Sequence, residues 1–445
     1  MDVERAVIAG AAGRDFHDFN VVFRGRDDVR VVAFTHAGGQ NLGELYELPS
    51  RRYPPELAGE GYPDGVPIYP EAELERAVDR HDADTVVFSY SDVSHEDVMH
   101  LGSRALAAGA DYRLIGPDRM MLDSETPVVA VDAVRTGCGK SQTTRRLVEV
   151  FRERGVEPVV VREPMPYGDL VEQRVQRFAS LEDVDEADVT IEEREEYEGH
   201  VERGTVVYAG VDYEEILREA EREAEVILWD GGNNELPFYR PDLHFVVADP
   251  LRPGSELRYH PGEANVRMAD VVVVNKVDSA EAEDVDEVVE NVRSLNPDVQ
   301  VLLADSEISF DVESVRGRRA LVVEDGPTVT HGHAAYGAGL IAARRAEADV
   351  VDPRPHARGS LARVYERYPH LDDVVPALGY SDSQVKDLED TVRAADVDVV
   401  VSATPHDISR VIDVDVPVVR VRYELRERDV TLDDVVAERA GDLGL

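Results

Sequence analysis

The residues whose types and spacing indicate chemistry most clearly lie in one short segment, 128–143. An apolar run opens this segment and predicts a buried strand, and a glycine-bearing loop then leads into a predicted helix. The triplet Gly139, Lys140 and Ser141 ends the pattern G-x-x-x-x-G-K-[ST], with Val134 in place of its first glycine. Backbone N–H groups of such a loop, with the positive end of the helix dipole, bind phosphates. The segment therefore predicts a P-loop that binds a nucleoside triphosphate.

Each side chain of this P-loop has an expected task. Lys140 is expected to bridge the β- and γ-phosphates, and the hydroxyl of Ser141 is expected to hold Mg²⁺. Arg135, inside the loop, is a further candidate for contacting phosphate, so we predict it to be catalytic together with Lys140. Cys138 is expected to fill a position for a small residue, not to act as a nucleophile. The predicted nucleotide-binding residues of the loop are Gly137, Cys138, Gly139, Lys140, Ser141 and Gln142.

A second apolar run ends in Asp230, which is followed by two glycines. This pattern predicts a Walker B acid that is catalytic and holds Mg²⁺, directly or through water, beside the P-loop strand. The alternative is a strand that simply ends in a turn. Asn233, Asn234 and Glu235 come next and are candidates for orienting the substrate.

A third apolar run, 271–274, ends in Asn275, Lys276, Val277 and Asp278. This matches the N-K-x-D motif of P-loop GTPases, in which Asp accepts hydrogen bonds from guanine while Asn and Lys brace the base and the P-loop. We therefore predict Asn275, Lys276 and Asp278 to bind the nucleotide. Variant P-loop kinases bind ATP with similar sequences at this strand end, so the choice between ATP and GTP stays open.

Weaker patterns allow two interpretations each. Arg162, Glu163 and Tyr167 either face the substrate or belong to a plain surface loop. The charge-rich stretch 190–200 is more typical of a solvated helix than of a site.

A glycine-rich stretch carries Glu324, Asp325, His331 and His333 and could bind phosphate or metal. Two histidines two residues apart do not make a convincing metal pair without a third ligand.

The N-terminal stretch starts with a predicted strand that runs into Gly10, Gly13 and Arg14. A glycine turn after a first strand resembles the start of a dinucleotide- or CoA-binding Rossmann-like domain, but the full G-x-G-x-x-G is missing. A tight turn that serves only packing is an equal alternative. The residues from Ser89 to Asp92 follow another predicted strand and could line the same edge of the sheet.

Short β-branched runs alternate with charged helical stretches, a pattern that predicts an α/β fold with mostly parallel sheets. We expect a Rossmann-like N-terminal domain at 1–125, a P-loop NTPase domain at 126–346 and a small α/β region at 347–445. The expected strands are Arg5–Ala9, Val29–Phe34, Thr85–Ser89, Tyr112–Ile115, Val397–Ser402 and Val418–Val421. The expected helices are Glu71–His81, Glu96–Ala108, Ser360–Tyr368 and Ser383–Ala394.

The charge balance is extreme, with 92 acidic against 48 basic residues and a net charge of −44 over 445 residues. Only three lysines remain: Lys140, Lys276 and Lys386. At about 1 M salt the Debye length is about 3 Å, so an acidic surface of this kind is screened. We predict the cytoplasm of a halophile, where retained lysines perform tasks that arginine cannot.

The same composition disfavours some partners and locations. Nucleic acids and anionic membranes need a basic surface, so neither is expected as a partner. The start of the chain lacks the pattern of a signal peptide, and no apolar run approaches the roughly 18 residues of a spanning helix. One cysteine, Cys138, excludes an intramolecular disulfide. We expect a cytoplasmic protein, and the sequence allows a homo-oligomer.

With these motifs in place, the chain resembles an archaeal family of predicted GTPases related to cyclic 2,3-diphosphoglycerate synthetase. The P-loop itself resembles the variant P-loops of the dethiobiotin synthetase and MinD-like branch. The resemblance rests on the stretches 10–20, 132–143, 190–197, 229–238, 249–254 and 275–278.

The resemblance implies an ATP-dependent ligase that closes an intramolecular phosphoanhydride in 2,3-bisphosphoglycerate, so a small phosphorylated metabolite is the expected partner. Arg14, Arg162 and Arg252 are candidates for its phosphates. The motifs alone favour a regulatory GTPase of the MinD-like class, and a non-catalytic metabolite sensor is the third alternative.

Overall fold

A computed structural model describes residues 3–37, 52–163, 168–187, 189–232, 234–330, 334–377 and 382–444. Its strands belong mostly to three sheets, and helices pack against them. The predicted α/β class with mostly parallel sheets is confirmed. No helix in these ranges is both long enough and apolar enough to cross a membrane.

The first sheet has six strands in the order β3-β4-β2-β1-β5-β7, and its pairs are parallel except at the β3 edge. The chain leaves β1 for β2 and β4 on one side, then returns to β5 on the other side. The strands are β1 Glu4–Ala9, β2 Val29–His36, β3 Arg52–Tyr53, β4 Val66–Pro70, β5 Thr85–Phe88 and β7 Asp111–Leu114. The α-helices of this part are α1 Arg14–Asp18, α2 Pro55–Ala58, α3 Leu74–His81, α4 His95–Ala107 and α5 Pro117–Met120.

The second sheet has nine strands in the order β10-β11-β9-β12-β8-β13-β15-β16-β22. The pairs at the two edges are antiparallel, and those between are parallel. The strands are β8 Val128–Ala133, β9 Pro158–Arg162, β10 Val175–Phe178, β11 Val207–Gly210, β12 Val226–Gly231, β13 Leu243–Ala248, β15 Val271–Val274, β16 Gln300–Ser309 and β22 Arg422–Glu427. Its helices are α6 Lys140–Glu153, α7 Leu181–Glu186, α8 Ile191–Val201, α9 Tyr213–Ala220, α10 Gly262–Met268, α11 Ala282–Leu295 and α16 Leu432–Glu438.

The P-loop strand β8 lies inside this sheet, and its six residues are all buried. Such continuous apolar runs are typical of parallel strands that are covered on both faces. Because β12 and β13 flank β8, the carboxyl ends of these three strands meet at one edge. Two short strands, β6 Val93–Ser94 and β14 Tyr259–His260, pair with each other and connect the first part of the chain to this one.

The third sheet is parallel and contains β17 Arg319–Glu324, β18 Asp349–Val350, β19 Val375–Pro376, β20 Val399–Ala403 and β21 Val418–Arg420. The helices α12 Gly326–Val329, α13 Ala338–Arg345, α14 Gly359–Arg367 and α15 Asp382–Ala395 accompany it. Strand β17 lies before residue 346 but pairs with later strands, while β22 crosses back to pair with β16. The predicted domain ranges 1–125, 126–346 and 347–445 remain a prediction.

The sequence predicted the bounds of individual strands and helices well. The strand predicted at Arg5–Ala9 is β1, and the helix predicted at Ser383–Ala394 is α15, each with ends within one residue. The helix predicted over Glu71–His81 begins with a 3₁₀ turn, Glu71–Glu73, before α3.

Candidate functional site

The loop between β8 and α6 has the backbone conformation that its glycines allow. Gly137 and Gly139 have φ angles of 83° and 113°, in the region that favours glycine. A Cβ on Gly139 would lie 2.1 Å from Nδ2 of Asn275, so no larger residue fits there. Val134, at the position of the missing first glycine, is fully buried, and its N–H donates to the carbonyl of Val247 at 2.9 Å.

The ammonium of Lys140 points to the end of β12. It contacts the backbone carbonyl of Asp230 and lies 3.2 Å from the carboxylate Oδ1 of that residue. Burial and the nearby charge of Arg162 lower the pKa of Lys140. The structure therefore brings together the two residues that the sequence predicted as the phosphate lysine and the Walker B acid.

Asp230 is fully buried and has four polar neighbours. Its Oδ1 accepts a 2.8 Å hydrogen bond from Thr144, and its Oδ2 lies 3.1 Å from Nε2 of His200 and 2.5 Å from Nη1 of Arg162. Burial opposes ionisation of this carboxyl, but the charges of Arg162 and Lys140 outweigh that effect and hold its pKa well below the usual range. Asp230 is therefore a carboxylate.

The residues predicted to hold Mg²⁺ provide the oxygen ligands that this ion prefers, a hydroxyl from Ser141 and a carboxylate from Asp230. The Nη1 of Arg162 lies 3.4 Å from the Ser141 hydroxyl while it also contacts Asp230. The donor set suits the ion, and the guanidinium contacts both of its groups in this structure. No group of three or more His, Cys, Asp or Glu in the described ranges could hold a metal ion.

The N-K-x-D residues contact the P-loop from β15. Asn275 donates from Nδ2 to the carbonyl of Cys138 at 2.9 Å, and Lys276 donates to the carbonyl of Gly137 at 2.5 Å. Asp278 accepts the backbone N–H of Ser306 on Oδ1 at 3.0 Å. Its Oδ2 lies 3.3 Å from the Ser279 hydroxyl and 3.6 Å from the guanidinium of Arg345.

Other predicted residues lie close by in different settings. The guanidinium of Arg135 lies 3.2 Å from Asp92 and 3.7 Å from the centre of the Tyr259 ring. Burial raises the pKa of Cys138 to about 11, so its thiol is not ionised at neutral pH. Arg252 bonds to the carbonyl of Thr136 at 2.9 Å, which connects it to the P-loop.

A cavity of about 390 Å³ opens from the P-loop towards the third sheet. Its P-loop side carries the cationic side chains Arg135, Lys140, Arg145, Arg162, Arg252 and Lys276. The last residue of β17, Glu324, and the next residue, Asp325, also line the cavity, and β22 provides Tyr423. The size and charge of this space suit a triphosphate, and its far side includes Glu324 and Asp325 from the stretch for which the sequence suggested phosphate or metal binding.

The stretch 190–200 is not a solvated helix, and that prediction is wrong. Helix α8 starts with a capping box in which Thr190 accepts the N–H of Glu193 and the Glu193 side chain accepts the N–H of Thr190. Tyr197 and His200 are buried, and Glu196 pairs with Arg162. Sequence reasoning missed His200. Its spacing from Glu193 and Tyr197, at i, i+4 and i+7, was a signal for one buried helix face.

The surface-loop interpretation of 161–170 is wrong for its first residues, since Arg162 and Glu163 are only 4% and 5% exposed. Glu163 lies against Gly232, where a Cβ would approach its backbone carbonyl to 2.0 Å. Asn234 accepts the N–H of Ala133 at 3.0 Å. The remaining candidates Tyr167, Asn233, His331 and His333 lie outside the described residues.

The glycine turn after β1 is filled by the protein's own carboxylate. Asp15 accepts the N–H groups of Ala12, Gly13 and Phe16 at 2.8–3.1 Å. These are the donors that a dinucleotide phosphate would need. The geometry therefore favours the packing turn. Burial raises the pKa of Asp15 to about 7.

Comparison with known proteins adds the family. The chain is 56% identical over 426 residues to the arginine synthetase ArcE of Thermococcus kodakarensis, an alignment that covers 95% of this chain and 94% of that protein. The chain belongs to the family of arginine synthetase ArcE. The predicted activity of a cyclic 2,3-diphosphoglycerate synthetase is therefore wrong, as is the alternative of a regulatory GTPase. The prediction of a synthetase is confirmed at the level of enzyme class.

No protein-family model matches the chain. Among solved structures, the hydrogenase maturation factor HypB from Archaeoglobus fulgidus is 14% identical, with a TM-score of 0.24, and the match covers 40% of this chain and 80% of that one. Cobyrinic acid a,c-diamide synthase from Mycobacterium smegmatis, solved with an ATP analog and magnesium, is 14% identical with a TM-score of 0.19. That match covers 40% of this chain and 74% of that one. Both likenesses are too weak to support an argument, so the ArcE family is the guide to function.

Proposed function

We propose that this chain is a nucleoside-triphosphate-dependent synthetase that forms arginine. The observation that carries the proposal is the arrangement of Lys140 and Asp230 at the end of the cationic cavity, in a chain of the arginine synthetase family. A P-loop lysine in this position acts on the β- and γ-phosphates, so the chemistry it supports is transfer of the γ-phosphoryl group. Under this proposal the small-molecule partner is an amino acid, not a phosphorylated metabolite.

Phosphoryl transfer makes arginine most directly from an amino acid with a ureido group. The ureido oxygen attacks the γ-phosphorus, the bond to the β-phosphate oxygen breaks, and the nucleoside diphosphate leaves. Ammonia then attacks the activated ureido carbon through its nitrogen lone pair. The C–O bond breaks, inorganic phosphate leaves with the ureido oxygen, and ammonia loses a proton, which leaves the guanidinium. Lys140 and Arg162 stabilise the negative charge of the transferred group.

Asp278 favours ATP over GTP as the triphosphate. Guanine recognition by an N-K-x-D motif uses both carboxylate oxygens of the aspartate. Here Oδ1 accepts the Ser306 N–H, and Oδ2 faces Ser279 and Arg345. Asn275 and Lys276 stabilise the P-loop through its carbonyl oxygens whichever base is bound.

Ser141 and Asp230 would hold Mg²⁺ with the phosphates. When bound, the ion neutralises charge on the β- and γ-phosphate oxygens. The exclusion of nucleic acid and membrane, the cytoplasmic location and the homo-oligomer stay predictions.

The test uses purified protein, ATP or GTP, ammonia and citrulline, the ureido analogue of arginine, labelled with ¹⁸O on the ureido oxygen. We expect arginine to form with ATP and the label to appear in inorganic phosphate. Lys140→Ala should lower the rate by at least roughly 100-fold. Lys386→Ala, at an exposed lysine of α15, is the matched control and should match the wild type.

Two results would overturn the proposal. Absence of arginine with either nucleotide contradicts the function, and arginine formed without label in phosphate contradicts the phosphoryl route. Unchanged turnover in Lys140→Ala would remove the site assignment.

A further inference from the structure

A buried ion pair at the end of β1 plays no part in the chemistry above. Arg14 and Asp18 lie one turn apart on α1, with 3.6 Å between Nε and Oδ2 and side chains 2% and 0% exposed. The Nε and Nη2 atoms of Arg14 have no hydrogen-bond partner in the described part of the chain, and the Asp18 carboxylate has only the Ser89 hydroxyl close enough to bond. Buried polar groups are nearly always hydrogen-bonded, so an incomplete pair of this kind indicates a missing ligand.

The groups around the pair do not complete it. Nη1 of Arg14 lies 3.4 Å from Nε2 of His260. Burial lowers the pKa of His260 to about 3, so this imidazole is neutral and brings no charge to the pair. Ser89 lies beside Asp18, and the charge of Arg119 acts on the same carboxylate from α5. The pair therefore has hydrogen-bond donors on Arg14 and acceptors on Asp18 that its neighbours do not fully satisfy.

The position of the pair in the sheet is the one at which α/β proteins bind ligands. Strand β1 leads outward to β2, while the chain returns on the other side of β1 as β5. The carboxyl ends of β1 and β5 therefore flank a topological switch point, and open α/β sheets usually bind ligands in a crevice at this position. Arg14 follows β1, and Ser89 follows β5 with its N–H on the carbonyl of Ala9 at 3.0 Å.

Two carboxyl groups connect this crevice to the phosphate site. Glu163 lies so close to the loop before Arg14 that a Cβ on Gly13 would approach its Oε1 to 1.9 Å. Glu235 accepts the Ser91 hydroxyl on Oε1 at 2.5 Å, and its carboxyl group also shares a hydrogen bond with Glu163. Lys140 is the cation whose charge acts on both carboxyl groups.

We propose that this crevice binds the amino-acid substrate, with Arg14 on the α-carboxylate, Asp18 on the α-ammonium, and Glu163 and Glu235 around the nitrogen-rich end. A zwitterion has the charge arrangement that the Arg14–Asp18 pair leaves unsatisfied. Two carboxyl groups suit a ureido N–H or a guanidinium, and their closeness to Lys140 brings that end to the γ-phosphate. The inference rests on the proposed function, because it identifies the ligand as an α-amino acid.

Measurements of ligand binding, rather than of turnover, test which residues contact the α-carboxylate and the α-ammonium of the amino acid. Calorimetry would compare arginine with agmatine, which lacks the α-carboxylate, and with arginine that lacks its α-amino group. For the wild type we expect each deletion to weaken binding by roughly 10- to 100-fold, the usual effect of losing a hydrogen bond to a charged group. Arg14→Gln should weaken arginine binding by the same factor and leave agmatine binding unchanged. Asp18→Asn should weaken arginine binding by a similar factor and leave unchanged the binding of the ligand that lacks the α-amino group.

Removing one partner of a buried ion pair can unfold a protein, so a milder variant is needed. Arg14→Lys keeps the charge and should lie between wild type and Arg14→Gln in its preference for arginine over agmatine. Thermal unfolding and ATP binding at the P-loop establish that each variant is folded. Arg26→Gln, at an exposed arginine of the same part of the chain, is the matched control.

The outcomes separate the two proposals. If wild type forms arginine but Arg14→Lys and Asp18→Asn keep the full preference for the α-groups, the crevice does not bind the amino acid and only this inference falls. If wild type neither binds nor forms arginine, the proposed function falls and this inference with it.

Discussion

One nitrogen of Arg162 contacts both predicted magnesium ligands, at 2.5 Å from the Asp230 carboxylate and 3.4 Å from the Ser141 hydroxyl. The guanidinium is 4% exposed and also pairs with Glu196 of α8. A cation in this position balances the buried charge of Asp230, which would otherwise be costly. It also competes with any metal ion for the same two oxygens.

This competition predicts the effect of Arg162→Gln. With the guanidinium gone, Asp230 becomes available to Mg²⁺, so the Mg²⁺ concentration at half-maximal ATP binding should fall by roughly 3- to 10-fold, about 1 kcal/mol. Turnover should fall at the same time, because the charge that stabilises the transferred phosphoryl group is lost. The measurement is Mg²⁺ titration of the binding of a fluorescent ATP analogue.

Arg222→Gln is the matched control, since Arg222 is an exposed arginine whose partner, Glu219, lies one turn away on the surface. An unchanged or higher Mg²⁺ requirement in Arg162→Gln would contradict the competition between Arg162 and Mg²⁺ for Asp230.

Asn275→Ala should weaken nucleotide binding indirectly, through the conformation of the P-loop. The Asn275 amide donates to the Cys138 carbonyl and fixes the P-loop, so its loss should raise the Kd for ATP and lower the free energy of unfolding by about 1–2 kcal/mol. Asn291→Ala is the control, because it removes a comparable bond, 2.6 Å to Glu256, far along the chain from the P-loop. Equal effects of the two variants on the Kd would contradict a bracing role for Asn275.

We expect the stability of the folded protein to depend on pH because of the buried carboxyl group of Glu324. It accepts the backbone N–H groups of Gly337, Gly339 and Leu340, and burial raises its pKa from 4.5 to about 7. Because the folded pKa exceeds the unfolded one, the folded state binds more protons between these values. The stability from this group is present below about pH 4 and is lost as the pH rises through about 7.

Glu324→Gln removes this titration. Relative to wild type, the variant should gain roughly 1–3 kcal/mol of stability between about pH 5 and about pH 8, whatever its offset at low pH. Thermal unfolding across that range measures the difference. Glu366→Gln, at an exposed glutamate of α14, should follow the wild-type curve. A constant difference between Glu324→Gln and wild type across the range would contradict the raised pKa.

The net charge of −44 predicts a strong dependence of stability on salt. Self-repulsion in the folded state weakens as the Debye length falls from about 10 Å at about 0.1 M KCl to about 3 Å at about 1 M. The Tm should rise steeply over this range, and sucrose of equal osmolality should not reproduce the rise. A Tm insensitive to KCl would contradict the predicted adaptation to a salty cytoplasm.

The sequence predicted the parts of the site that are contiguous in the chain. A phosphate-binding loop needs consecutive N–H groups, glycines at defined positions and a helix directly behind them, so its signature is local. The same holds for Asp230 and Asn275, each at the end of an apolar strand of the same sheet. Both residues lie beside the P-loop because the carboxyl ends of parallel strands meet at one edge of the sheet.

What the sequence determined, then, was the α/β class, the P-loop and the acids and amides that accompany it. Only the tertiary structure decided that Arg162 lies between Ser141 and Asp230, that α8 buries His200 on the same carboxylate, and that the third sheet closes the cavity. These contacts join side chains from distant elements, and their energy comes from burial and charge pairing that no local pattern encodes. A charge-rich stretch such as 190–200 has the same composition whether it faces water or a buried arginine, and only the fold distinguishes the two.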